Sequence, residues 1–402
     1  MKRKTLITIT AAAAVLTLAG CGSGGAPANL PDGYVDSLKN VNAAEKAMFK
    51  RANQYRVASG LVPFDWSDKL HIAGKAHSKY CDFNGHYDHD ENPNGQYYFG
   101  TDPTQRQRNA GYQYPYGEDL DYNGWGADEA ESGRFMIDDL MTAIYHRMPL
   151  LDQAITEIGT GVNDEYGQTG AVEFGVAPKN KMSNLPYVLY PAPGAMNVVG
   201  GFSGESPDPL KDTGATYSGN PISVFFKTGC NVKMEKFTLR DINESSNPSI
   251  LKIMTGKNDP NHYFSNCDFA LYPSDEMRIG HYYEAKFKYN GGKEIKWQFR
   301  IYIAPPPDIP PGAELVITDN NQSFEIKNGI TYYLNIHPGQ ELQEKCGTGW
   351  MGNGLDLDIN HFGPGSNYYT LVSNSQIGAT AEVTINCVDD GKDVDFNVTI
   401  VE

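Results

Sequence analysis

Residues 53–70 read NQYRVASGLVPFDWSDKL, and this stretch decides the fold of the N-terminal part. Its first half closes a helix. Ala44, Ala47, Met48, Ala52, Tyr55 and Arg56 recur at a 3.6-residue period, and Gly60 supplies the stop. Its second half opens another helix, capped by Ser67, with Leu70, Ala73, Gly74, His77 and Tyr80 along one face. Working outward, residues 82–102 form a polar, turn-rich loop. A short helix is expected from Thr104 to Ala110 and a longer one from about Asp128 to Tyr145. Strand-like runs follow at Thr156–Val162 and Ala171–Val176. Helices followed by strands, with helices flanking the sheet, give an α+β domain over residues 41–180.

Five ordered segments carry a family resemblance. Asn53-Gln54-Tyr55-Arg56 precedes Gly60-Leu61-Val62-Pro63, and Trp66-Ser67-Asp68-Lys69-Leu70 runs into Ala76-His77-Ser78. Tyr87-Asp88-His89 stands before Pro93-Asn94-Gly95, and Gly117-Glu118-Asp119 follows. His146-Arg147 and Ile158-Gly159-Thr160-Gly161-Val162 complete the set. In this order and spacing they resemble the bacterial branch of the CAP superfamily, the SCP-like extracellular domain. The resemblance implies a three-layer α-β-α domain with two histidines and one or two acidic residues in a central cleft. By motif, the cleft residues are His89, Glu118 and His146. Two imidazoles beside a carboxylate can share protons or hold a divalent cation. No cofactor is assigned; zinc is the kind of ion such a set takes, with His89 and His146 as its ligands.

The sequence departs from the family pattern before the second histidine. The run Leu140-Met141-Thr142-Ala143-Ile144-Tyr145-His146-Arg147 has no glutamate where animal and plant members carry one. Asp138, Asp139 and Glu131 are substitutes between which spacing does not choose, so the tetrad reads as incomplete. Asp119, in place of the usual asparagine, adds negative charge near the cleft. His77 reads as a packed, hydrogen-bonded histidine. Cys81 lies four residues beyond it, a spacing common by accident. Asp90-x-Asn92-x-Asn94-Gly95 matches half a calcium loop, but Thr101 stands where the bidentate glutamate belongs. No H-E-x-x-H, G-x-S-x-G or C-x-x-C is present.

After Leu185 helical periodicity gives way to short alternating runs such as Ile222–Phe226, Tyr282–Tyr289 and Ile295–Ile303. These imply an all-β sandwich over residues 181–305 and a second over 306–402, separated by the Pro-rich run 304–311. The segment Phe202-Ser203-Gly204-Glu205-Ser206-Pro207-Asp208-Pro209-Leu210 resembles the opening of an Ig-like module that follows some bacterial CAP domains. Trp297, Trp350 and the Tyr332-Tyr333 and Tyr368-Tyr369 pairs are candidate stacking surfaces for glycans, set against the plainer role of filling cores.

The start of the chain reads as an export signal. Lys2, Arg3 and Lys4 precede an apolar stretch ending in Leu18-Ala19-Gly20-Cys21. This is a lipobox, with a signal peptide over 1–20, lipid on Cys21 and a flexible tether over 21–40. Gly22 after Cys21 favours the outer membrane or cell surface. Export permits disulfides, and Cys230–Cys267 and Cys346–Cys387 are the expected pairs, leaving Cys81 unpaired. A net charge of −16 argues against nucleic acid as a partner. Together these features point to a lipid-anchored protein that binds a lipid, glycan or small amphiphile in its cleft. The competing readings are a metal-assisted hydrolase of peptide or cell-wall material and a structural or adhesive surface lipoprotein.

Overall fold

The computed structural model describes residues 33–301, apart from 123–127, 164–168, 179–181 and 197, and in the C-terminal part 314–317, 322–336, 347–352, 357–361, 368–373, 377–386 and 394–401. The expected signal peptide, Cys21, the Pro-rich run and the Cys346–Cys387 pair lie outside the described residues.

Helix α1 (Ala43–Ala58) begins in a capping box. Glu45 N–H donates to Asn42 Oδ1 and Asn42 N–H to Glu45 Oε2, each at 2.8 Å. The chain leaves this helix at Gly60 with φ +79°. Arg56 then fixes what comes after. Its guanidinium is fully buried over the Phe64 ring and donates to the carbonyls of Val62, Leu150, Asp152 and Ile155. Asn53 holds Phe64 from both sides, donating to its carbonyl and accepting from its N–H at 2.6 Å. The motif that opened the sequence is therefore a clamp on the loop between two helices. The polar atoms of Asn53 and Arg56 pair with buried backbone.

Strand β1 (Asp65–Trp66) leads into α2 (Asp68–Asn84), capped by Ser67 and ended by Gly85 in the left-handed region. Then come α3 (Pro103–Asn109), β2 (Pro115–Asp121), α4 (Glu129–Thr142), α5 (Ile144–Leu150), β3 (Glu157–Val162) and β4 (Gly170–Gly175). The sheet order is β1-β3-β4-β2, with β1 parallel to β3 and the other pairings antiparallel. Helix α2 lies on one face. It comes so close that a Cβ on Gly159 or Gly161 would sit 2.0 Å from His71 N or 2.1 Å from Lys75 N, which is why this strand needs glycine there. Helices α1 and α4 cover the other face, where Met48 and Met136 press against Gly170. The α-β-α layering is as expected.

Two local differences matter. The single helix expected over 128–145 is two helices, broken at Ala143, whose ψ of 118° is extended. The freed N–H groups of Ile144 and Tyr145 donate to a distant carboxylate, Glu205, which stabilises the break. The segment Pro115–Asp121 is a strand; its charged and polar residues hide it from a reading based on hydrophobic alternation.

The second part contains β5 (Tyr187–Tyr190), β6 (Gly201–Phe202), β7 (Ser218–Gly219), β8 (Ile222–Phe226), β9 (Met234–Asp241), β10 (Ile250–Thr255), β11 (Asp268–Pro273), β12 (Tyr282–Tyr289) and β13 (Lys293–Arg300). Sheets β10-β11-β8-β5 and β13-β12-β9 enclose a core including Val224, Leu239, Leu271, Phe287 and Phe299. Trp297 is 4% exposed and donates to Pro191 O, so it packs this core and offers no stacking surface. The expected Cys230–Cys267 disulfide is present, with Cα atoms 5.8 Å apart. Cys81 is unpaired and buried.

A third unit has two four-stranded sheets around Ile317, Ile326, Leu334, Leu371, Val383 and Phe396. Tyr332 is buried in that core. Each sheet includes one parallel pair, Glu314–Ile317 with Thr331–Ile336 and Gln322–Lys327 with Val394–Val401.

The first two parts share a core. Phe202, Leu210, Phe225, Met254, Phe264 and Tyr272 belong to the same buried cluster as Met48, Phe49, Leu140 and Phe174. Arg147 bolts the seam. Fully buried above the Tyr190 ring, it donates to Met141 O and Thr142 O on its own side and to Pro221 O, Asn220 Oδ1 and Ser223 Oγ across it. Tyr145 adds a short hydrogen bond to Asp259. Replacing Arg147 with Met keeps the volume but strands these acceptors without water. The expected loss is about 2–4 kcal/mol in a urea titration. An unchanged midpoint would show that the seam does not depend on Arg147.

Candidate functional site

Strand β2 presents Glu118 and Asp119 to opposite faces of the sheet, as strand alternation requires. Glu118 faces the α2 side. Its two oxygens accept from Arg106 Nη2 at 2.8 and 2.9 Å, and Oε1 also meets His89 Nδ1 at 2.9 Å. His77 Nε2 stands 3.5 Å away. Burial alone would raise this carboxyl, but the charges of His77 and Arg106 and the bond to His89 hold it well below its usual range. Glu173, opposite it on β4, goes the other way. Burial and then the neighbouring Glu118 charge push it well above the carboxylate range, so it keeps its proton. Gln107 Nε2 donates to its Oε2 at 2.6 Å.

His77 is a fully buried anchor, as expected. Nδ1 bonds to Glu91 Oε1 at 2.8 Å and Nε2 to Asp88 O at 3.0 Å. Glu91 also accepts from the N–H groups of Phe99 and Gly100, so the loop over 82–102 is organised around one buried carboxylate. Tyr80 Oη accepts from Asn92 N–H, and Asn92 Oδ1 accepts from Asn94 N–H. The half calcium motif is a turn of this loop. Cys81 Sγ lies 3.4 Å from His77 Nε2, but burial, reinforced by the Glu118 charge, pushes the thiol well up and keeps it protonated. It has no nucleophilic role in this arrangement.

His146 and Asp119 lie on the other side of the sheet. His146 Nδ1 bonds to Glu205 Oε2 at 3.0 Å, and Glu205 also accepts from Ile144 and Tyr145 N–H. Burial lowers the His146 imidazole, yet the bond to Glu205 and the charges of Asp119, Glu205 and Asp121 outweigh it and raise it to about 9. Asp119, 4% exposed, is raised to about 7, chiefly by burial. Its Oδ2 has no hydrogen-bond partner among the described residues. Of the three acids that spacing offered, Asp139 lines a small cavity with His146 but is not hydrogen-bonded to it. Asp138 is taken by Arg51 and Tyr55, and Glu131 faces Arg134. The acid that pairs the second histidine comes from the next module, in the Phe202–Leu210 segment. That stretch was visible in the sequence as a module opening, but nothing in its spacing ties it to His146.

Each histidine thus has a carboxylate on Nδ1. Nε2 of His89 and of His146 has no hydrogen-bond partner among the described residues. Both open onto a cleft of about 940 Å³ between the first two parts. Glu118 and Asp119 line it together with Met148, Phe174, Phe225, Tyr263 and Lys227. The set fits a metal poorly: Arg106 holds both oxygens of Glu118, and a cation on His146 would have to displace a proton that its neighbours favour. Among the described residues no group of three or more His, Cys, Asp or Glu could hold a metal ion. No helix among them is long and apolar enough to cross a membrane.

The His146–Glu205 pair makes a pH prediction. A histidine raised from 6.5 to about 9 contributes stability that is complete below pH 6.5 and is lost as pH climbs towards 9. Urea midpoints should therefore fall across that window, by about 3 kcal/mol at most. Glu205→Gln, which removes the charge and one of the two acceptors for the Ile144 and Tyr145 N–H groups, should lower stability at every pH and flatten the slope. An equal slope in the variant would refute the pairing.

Residues 49–176 match the model of CAP, the cysteine-rich secretory protein family. Among solved structures, the chain is similar to an extracellular protein containing a SCP domain from Bacillus anthracis str. Ames. They are 20% identical, over 34% of this chain and 41% of that one, with a TM-score of 0.28. It is also similar to a chimeric titin Z1Z2 functionalized with a KLER peptide from decorin (13% identity, 55% and 98% coverage, TM-score 0.23). The S-layer protein SbsC domains 4 and 5 give 13%, 45%, 90% and 0.17 in the same order. The chain spans 41% of the length of the Bacillus anthracis protein. No curated protein matches it in sequence. Residues 49–176 are a CAP domain, followed in the chain by two β modules.

Proposed function

We propose that this chain is an exported, lipid-anchored binding protein that holds a small amphiphile in the cleft between its CAP domain and the following β module. The single observation that carries the reading is the shape and chemistry of that cleft. It falls in the size range of ligand pockets and combines mostly apolar surface from Met148, Phe174, Phe225 and Tyr263 with polar groups that include His89 and His146. A hydrolase needs an activated nucleophile or a metal-bound water. Here the buried thiol is protonated, and among the described residues no hydroxyl or thiol is hydrogen-bonded to His89 or His146. This favours holding a molecule over cleaving one. The lipobox supports anchoring through Cys21, and Gly22 supports the outer membrane or cell surface.

The test uses the chain from residue 22, which keeps every described residue. Titration with the neutral fluorophore N-phenyl-1-naphthylamine should give saturable enhancement. Met148→Glu, placing a charge on the cleft wall, should weaken it about tenfold or more, since a charge in an apolar site is costly. Zinc titrated by calorimetry should show no stoichiometric binding. A protein that ignores the fluorophore but takes up zinc would reverse the assignment.

A further inference from the structure

A second, smaller cavity of about 240 Å³ meets the large cleft at His89, His146 and Ser206. The two differ in character. The smaller one is lined by Asp88, Asp121, Asp139 and Glu205, and its lining includes no lysine or arginine. An anionic group would be repelled there. A neutral group rich in hydroxyls escapes that penalty, because it can donate to the carboxylates and accept from Ser203 and Ser206. The rim carries a further sign. Tyr87 and Tyr122, 43% and 51% exposed, face each other with ring centroids 5.3 Å apart at the cavity's edge. Exposed paired tyrosines offer a flat apolar surface with polar tips, suited to the face of a sugar ring.

The junction between the cavities is formed by His89, His146 and Ser206. Each imidazole has its Nδ1 on a carboxylate, which leaves its Nε2 for a group that enters from either cavity.

We propose that the occupant is a single-chain amphiphile with a sugar head, its tail in the large cleft, its head against the exposed rings of Tyr87 and Tyr122, and its head-tail junction against His89 and His146. This rests on the amphiphile reading above and names the headgroup class. The test titrates the same chain by calorimetry, below micelle formation, with decyl maltoside, decanoate, decyltrimethylammonium and maltose. Decyl maltoside should bind at least about tenfold more tightly than each of the others. The double variant Tyr87→Ala/Tyr122→Ala should lose about tenfold for decyl maltoside and bind N-phenyl-1-naphthylamine as before. Equal or tighter binding of decanoate or the ammonium, or an indifferent double variant, overturns the headgroup assignment while the cleft reading stands. Failure of the fluorophore to bind wild type overturns the cleft reading itself.

Discussion

A guanidinium without access to water governs the arrangement of the first two parts. Arg147 can stay charged in the seam only because carbonyls and side-chain oxygens from both sides surround it, and burial still lowers it to about 10. If either part moved away, its acceptors and the arginine would lose partners together. The seam therefore closes as a unit. His146 precedes Arg147 in the chain, so the same bolt sets the position of the imidazole in the cleft.

Around this constraint the site divides its charge by the two faces of one sheet. On the α2 side, Arg106, His77 and His89 converge on Glu118, leaving Glu173 to keep its proton. On the other side Asp119 shares its surroundings with His146 and Glu205. The alternation of β2 keeps the two sets apart although Glu118 and Asp119 are consecutive residues. Such separation lets one strand supply both a permanently ionised carboxylate and one poised near neutrality.

What could be read from the sequence follows the range of the interactions. The helix starts at Ala43 and Ser67, the Gly60 stop and the glycines of β3 are local signals, and they were legible. The site histidines were legible because their motifs are. Strand β2 was not, since its residues answer to charges from α2, α3 and the neighbouring module instead of to a simple inside-outside pattern. The break at Ala143 was hidden for a related reason: the group that satisfies it, Glu205, lies about sixty positions away. The search for the missing acid looked along the helix before His146, where covalent proximity made candidates plausible. The chain placed it across a domain seam, which spacing does not encode.

The disulfide has a consequence of another kind. Cys230 follows Lys227 and Thr228, and Cys267 sits between Ser265 and Asp268, all four of which line the large cleft. One covalent bond thus ties together two segments of the cleft's lip. Thiols kept reduced would leave those segments joined only by weaker contacts. The lining of the cleft is therefore completed by an oxidation, a step that takes place after the chain is made.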